Sequence, residues 1–188
     1  MERVVLGLGS NRSFNGLDPC GILFRACTEI CSFLHDAVFS SIYRTGAMYV
    51  SDQDDFYNMV ASGCFDGTAR ELLDRIHAVE DSYGRDRSKE IRFGPRPLDI
   101  DIELFGDLRI DEPDLVVPHE RMTERAFVLV PFLEILDEDA DSWNSGFYRD
   151  CLASLSDQKI EMYMNRSDFP VFSPDSGLDG SDCRSVLN

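Results

Sequence analysis

Asp99 and Asp101 stand two residues apart in the run Leu98-Asp99-Ile100-Asp101-Ile102, directly after a segment that carries Arg85, Arg87, Lys89, Arg92 and Arg96. Alternation of acid and apolar residue is the period of a β-strand, so both carboxylates fall on one face, about 6.5–7 Å apart along the chain. Oxygen ligands so spaced suit one or two hard divalent cations such as magnesium. Magnesium beside arginines is equipment for polyphosphate, because both neutralise oxygens that phosphoryl-type transfer makes more negative. The other reading of an isolated D-x-D is the wet face of an antiparallel strand. Here the basic segment and the Gly94-Pro95 turn favour the cation site.

The chain that positions this segment has 188 residues and is 43% hydrophobic, which fits one domain with a respectable core. No apolar run approaches the ~18 residues of a membrane span, and the N-terminal MERVVLGLGS does not resemble a secretory signal. A cytoplasmic chain without membrane contact is expected. A net charge of −17 opposes nonspecific binding of nucleic acid, so a single-strand-binding module is disfavoured. The six cysteines show neither C-x-x-C nor zinc spacing, and Cys27 and Cys31 are expected as reduced, buried thiols.

Residues 3–8 read as a central strand, residues 20–34 as a helix with one apolar stripe, and 37–43 and 56–65 as two more strands. Thr68 and Glu71 have capping-box spacing at the head of a helix that Gly84 ends. After the D-x-D strand come short extended pieces at Ile110 and 115–117, a helix over 123–136 with Pro131 as a kinking residue, and a last helix over 147–156. Strand, helix, strand, strand, helix, strand is the order of an α+β, ferredoxin-like split βαβ sandwich, a mainly antiparallel sheet with its helices on one face. Residues 1–164 are expected as the domain and 165–188, rich in Ser, Asp, Gly and Pro, as a disordered tail.

A series of motifs then meets one family pattern: GLGSN at 7–11, YRT at 43–45, FYN at 56–58, GRDR at 84–87, FGPRPLDIDI at 93–102 and VPHERMTERAF at 117–127. In this order and spacing the chain resembles the 6-hydroxymethyl-7,8-dihydropterin pyrophosphokinases of folate synthesis, which move a diphosphate from ATP to the pterin hydroxymethyl group and release AMP. The resemblance implies two Mg2+ held by Asp99 and Asp101, with Arg85 and Arg96 also in the catalytic set. It implies ATP as co-substrate, among His77, Glu80, Arg85, Arg87, Arg92, Arg96, Ile102, His119 and Arg125. The pterin would lie among Thr45, Gly46, Met48, Phe56, Asn58 and Phe127, with the two rings stacking and Asn58 reading the amide edge. Taken from the residues alone, each arginine could be a solvated charge, and Phe56 and Phe127 could be core.

A monomer is expected. The resemblance leaves room for loose association with other folate-pathway enzymes, of which the sequence holds no sign. Three positions depart from the family pattern: Gly46 and Ala47 where prolines are usual, Phe93 where tryptophan is common, and Asp114 where some members carry a basic residue. The last is expected to weaken ATP binding. An inactive relative kept for interaction is the remaining reading, disfavoured by the intact acids, arginines and histidine.

Overall fold

The computed structural model describes residues 1–46, 54–85, 94–136 and 143–170. Met48, Arg87, Arg92, Phe93 and residues 171–188 of the expected tail lie outside the described residues. Strands β1 (Glu2–Ser10), β2 (His35–Phe39), β3 (Ile42–Thr45), β4 (Phe56–Phe65), β5 (Asp99–Phe105) and β8 (Glu161–Met164) form one antiparallel sheet in the order β5-β1-β4-β3-β8, with β2 also paired to β4. Strands β6 (Ile110–Glu112) and β7 (Leu115–Val117) form a separate hairpin. The α+β, ferredoxin-like expectation holds: the first strand lies between the D-x-D strand and β4, which is the order of a split βαβ sheet.

Alternation along the central strands sends side chains to two cores. Val4, Leu6, Leu8, Met59, Ala61, Ile100 and Ile102 pack under α1 (Pro19–Ile30) and α2 (Ala69–Ser82). Val5, Val60 and Leu104 face the other way, onto α3 (Ala126–Ile135) and α4 (Ser145–Ala153). Helices on one face were expected, and the structure corrects this: both faces are covered, as near-continuous apolar strands require. The local signals at α1 and α2 are satisfied. Asp18 caps α1 ahead of Pro19, Thr68 and Glu71 form the reciprocal capping box, and Gly84 adopts φ 76° at the end of α2.

Other boundaries differ for tertiary reasons. The expected strand over 37–43 is two strands, broken at Ser40 and Ser41. Glu134 from α3 holds the break, accepting from the Ser41 N–H (2.9 Å), the Ser41 hydroxyl (2.7 Å) and the Tyr43 hydroxyl (3.0 Å). Burial and this carboxylate push the Tyr43 phenol up to about 12. Glu134→Ala leaves three donors at this buried site unpaired and is expected to cost about 3 kcal/mol in urea unfolding, with Glu134→Gln losing less. The third helix was expected to begin at residue 123. Instead α3 begins at Ala126, whose N–H is taken by the Gln158 side chain at 2.9 Å.

The chain after Leu136 is structural where it is described. Trp143 donates to the Gly106 carbonyl (3.2 Å) under the Arg3 guanidinium, and Tyr148 of α4 packs edge-to-face on Phe132. Strand β8 extends the sheet beyond β3. Residues 165–170, expected at the head of a loose tail, include a 3-10 turn at Arg166–Asp168 and place Phe169 edge-to-face on Phe24, with ring centroids 5.2 Å apart. Among the described residues no helix is long and apolar enough to cross a membrane. Cys27 is buried, and its thiol lies 3.7 Å from the Met59 sulfur.

Candidate active site

The register of β4, β1 and β5 lays the candidate residues across the sheet in rows. Asn58 pairs with Gly9, and Gly9 with Asp99; Val60 pairs with Gly7, and Gly7 with Asp101. Ile100 and Ile102 enter the core beneath α2, so Asp99 and Asp101 project from the opposite face, as their alternation requires. Gly7 and Gly9 keep the floor between Asn58 and the acids open. A Cβ at Gly9 would stand 3.2 Å from Asn58 Oδ1, and one at Gly7 only 2.8 Å from Glu103 Oε1.

Around the acids the cations are already gathered. Arg85 Nη1 lies 2.8 Å from Asp99 Oδ1 and also bonds Glu80; Arg96 Nη1 lies 2.9 Å from Asp99 Oδ2; Arg125 Nη1 lies 3.3 Å from Asp101 Oδ2. Glu80, 1% exposed, accepts from the Ile100 N–H at 2.8 Å and so ties the end of α2 to the D-x-D strand. Arg96 is fixed from below, its N–H donating to Asn11 Oδ1 at 2.8 Å. That bond gives the asparagine of GLGSN a physical task.

Desolvation, and then repulsion from Asp99, push the Asp101 carboxyl up to about 6 although Arg125, Arg85 and Arg96 oppose this. Two carboxylates on one strand face under that strain are a fitting donor set for a hard cation. His119 is drawn down to about 4 by burial and by Arg125, so its ring is neutral near pH 7. Its Nδ1 accepts from the Arg121 N–H at 3.1 Å, which leaves the proton on Nε2, 3.8 Å from Asp101 Oδ2.

A cleft of about 170 Å³ is lined by Asp101, Arg85 and His119 together with Leu73, His77, Glu80, Ile102, Asp114, Leu115 and Val116. It therefore joins Glu80, Arg85, Ile102, His77 and His119 of the expected nucleotide set. On the other side of the acids, Thr45 and Asn58 are buried together, the amide donating to the Thr45 hydroxyl at 2.9 Å. Gly46 follows on the exposed side. Phe56 and Phe127 are half-buried, and the Arg125 guanidinium lies 5.6 Å from the Phe127 ring centre.

Two features escaped the sequence analysis. Glu103 continues the alternation of Asp99 and Asp101, but a register shift against Val5 and Leu6 makes it an extra residue in β5. It is 1% exposed, and among the described residues neither carboxylate oxygen has a hydrogen-bond partner. Burial, with the nearby Asp101 charge, holds its carboxyl well above the usual range. The signal was the unbroken period-2 acid run. The second feature is Arg70, which binds Asp114 and Glu112 and neutralises the acid expected to repel ATP. Its partners lie more than forty residues away, so no local pattern announced it.

Residues 5–137 match the 7,8-dihydro-6-hydroxymethylpterin-pyrophosphokinase (HPPK) family. A 2-amino-4-hydroxy-6-hydroxymethyldihydropteridine pyrophosphokinase of Methylorubrum extorquens is 33% identical over 163 residues, covering 86% of this chain and 98% of that protein. A mitochondrial folate synthesis bifunctional protein of Arabidopsis thaliana is 37% identical over 144 residues, covering 75% of this chain and 24% of the relative. The chain spans about a quarter of the length of the plant relatives that it matches. A crystal structure of Plasmodium falciparum HPPK-DHPS superposes with TM-score 0.60 at 15% identity, over 81% of this chain and 45% of that one, which speaks for the fold. With the family pattern matched over most of its length and nearly the whole of a bacterial pyrophosphokinase covered, the chain belongs to the 7,8-dihydro-6-hydroxymethylpterin-pyrophosphokinase family.

Proposed function

We propose that this protein transfers diphosphate from ATP to the hydroxymethyl group of 6-hydroxymethyl-7,8-dihydropterin in folate synthesis. The observation that carries the reading is the row Asn58–Gly9–Asp99, which sets an amide reader and an acid pair on one open sheet face. The hydroxymethyl oxygen attacks the β-phosphorus, the bond from that phosphorus to the oxygen shared with the α-phosphate breaks, AMP leaves with that oxygen, and the hydroxyl proton is lost. Such a transfer is governed by positioning and charge neutralisation, with little covalent work for the protein.

Asp99 and Asp101 would hold two Mg2+, which supply charge neutralisation on the phosphate oxygens and on the attacking hydroxyl. Arg85, Arg96 and Arg125 already sit within ion-pair distance of the acids, so each can exchange a carboxylate oxygen for a phosphate oxygen with little movement. His119 presents Nε2–H as a neutral donor toward the same place. Arg87 and Arg92 belong to the phosphate set on family grounds. The pterin would lie over Gly9, between Phe56 and Phe127, its amide edge on Asn58, with Thr45, Gly46 and Met48 beside it. We further propose a cytoplasmic monomer with its domain over residues 1–164.

ATP labelled in its β-phosphate tests the reaction: the label is expected on the pterin, and its retention on the nucleotide overturns the reading. Gly9→Val tests the floor. It places two methyl groups against Asn58 and Phe56 and is expected to weaken pterin binding at least about tenfold, with ATP binding within about twofold of wild type in calorimetric titration. Unchanged pterin affinity would place the heterocycle elsewhere.

A further inference from the structure

Asp114 is an acid in a cleft assigned to a polyanion. It stands just before β7, the strand that leads to His119, and it lines the same cleft as His119 and Asp101. Arg70 on α2 grips it from both sides, Nη1 to Oδ2 at 2.6 Å and Nη2 to Oδ1 at 3.0 Å, while also binding Glu112. A forked guanidinium fixes the carboxylate plane as no single bond does. The same grip holds the Asp114 carboxyl below the usual range, so it is ionised near pH 7.

A fixed carboxylate accepts only. It repels the triphosphate, whose oxygens belong with the cations beside Asp101 and with His119, which line the same cleft. The part of a nucleotide that offers hydrogen-bond donors in a pair is the sugar, through its adjacent hydroxyls. A carboxylate oriented to take such a pair is how dinucleotide sites read ribose. The apolar Leu73, Leu115, Ile102 and Val116, which line the same cleft, suit a flat base beyond the sugar.

We propose that Asp114, oriented by Arg70, binds the adjacent ribose hydroxyls of the nucleotide and makes the site selective for ribonucleotides over deoxynucleotides. This rests on the nucleotide reading of the cleft given above. It reverses the expectation that an acid at this position weakens ATP binding: the side chain works on the sugar, and Arg70 offsets its charge.

Calorimetric titration of the full chain with magnesium and, in turn, ATP, 2′-deoxy-ATP, 3′-deoxy-ATP and inosine triphosphate tests it. In wild type both deoxy analogues are expected to bind about tenfold more weakly than ATP, the loss of a hydrogen bond to a charged acceptor. Inosine triphosphate, with the same sugar, is expected within about threefold of ATP. In Asp114→Ala, and in the shape-conserving Asp114→Asn should the first fold poorly, ATP falls toward the deoxy values and the sugar discrimination shrinks. Equal binding of ATP and both deoxy analogues by wild type overturns the proposal and leaves the nucleotide site intact. So does discrimination that survives in the variants, or a loss confined to inosine triphosphate, which would assign Asp114 to the base. Failure of ATP itself to bind removes the nucleotide reading and this inference with it.

Discussion

Asp101→Ala is expected to lower turnover at least about a thousandfold while the fold stays intact, because it removes half of the acid pair on which phosphate charge neutralisation depends. The stability of the same variant separates this role from a structural one. In wild type the folded-state carboxyl is pushed up to about 6, above its ordinary value of about 3.8. A carboxyl raised in this way opposes folding when ionised. The handicap is present above about pH 6 and fades as pH falls through that value toward the ordinary carboxylate range. With metal removed by chelator at pH 7.5, Asp101→Ala is therefore expected to melt at or above the wild-type temperature, and the gap should close as pH falls to about 4. A variant that is both active and less stable would make Asp101 an ordinary surface acid.

Glu80→Ala is expected to cost about 3 kcal/mol of stability and to weaken ATP binding together. The side chain is buried at 1% exposure, takes the Ile100 N–H, and binds Arg85, itself only 12% exposed. Removing it strands a buried donor and half-strips a buried cation, a change that costs far more than a surface pair would. Arg85 keeps Asp99 as a partner and shifts toward it, away from its shared position. Glu80→Gln keeps an acceptor for Ile100 and should recover most of the stability but less of the ATP affinity. Chemical denaturation and ATP titration of the two variants check this; equal losses in both measurements for Gln and Ala would contradict it.

What could be read from the sequence was what local pattern encodes. The Asp99/Asp101 face followed from a period of two, the head of α2 from Thr68 and Glu71, and its end from Gly84. The rest depended on partners far along the chain. The break at Ser40 and Ser41 is invisible in an apolar stretch because the group that stabilises it, Glu134, is 93 residues from Ser41. The cap of α3 comes from Gln158, and the second helical layer from aromatic residues in a segment whose composition is mostly acidic and polar. Glu103 was hidden differently. Its spacing was plain, but a buried carboxyl with no hydrogen-bond partner among the described residues is a costly choice that composition does not foretell.

Within the site, residue types were legible from the sequence, and the register supplied their arrangement. In the sequence Gly7 and Gly9 stood only as part of the GLGSN motif. In the sheet they are the open floor between Asn58 and the acid pair. Asp114 looked like a defect until Arg70 was seen to hold it.

The most direct measurement is an incubation with ATP, magnesium and 6-hydroxymethyl-7,8-dihydropterin, with the nucleotide products separated by chromatography. AMP is expected, formed only when the pterin is present and in step with its consumption. ADP in its place, or ATP left unconsumed while both ligands bind, would contradict diphosphate transfer at this site.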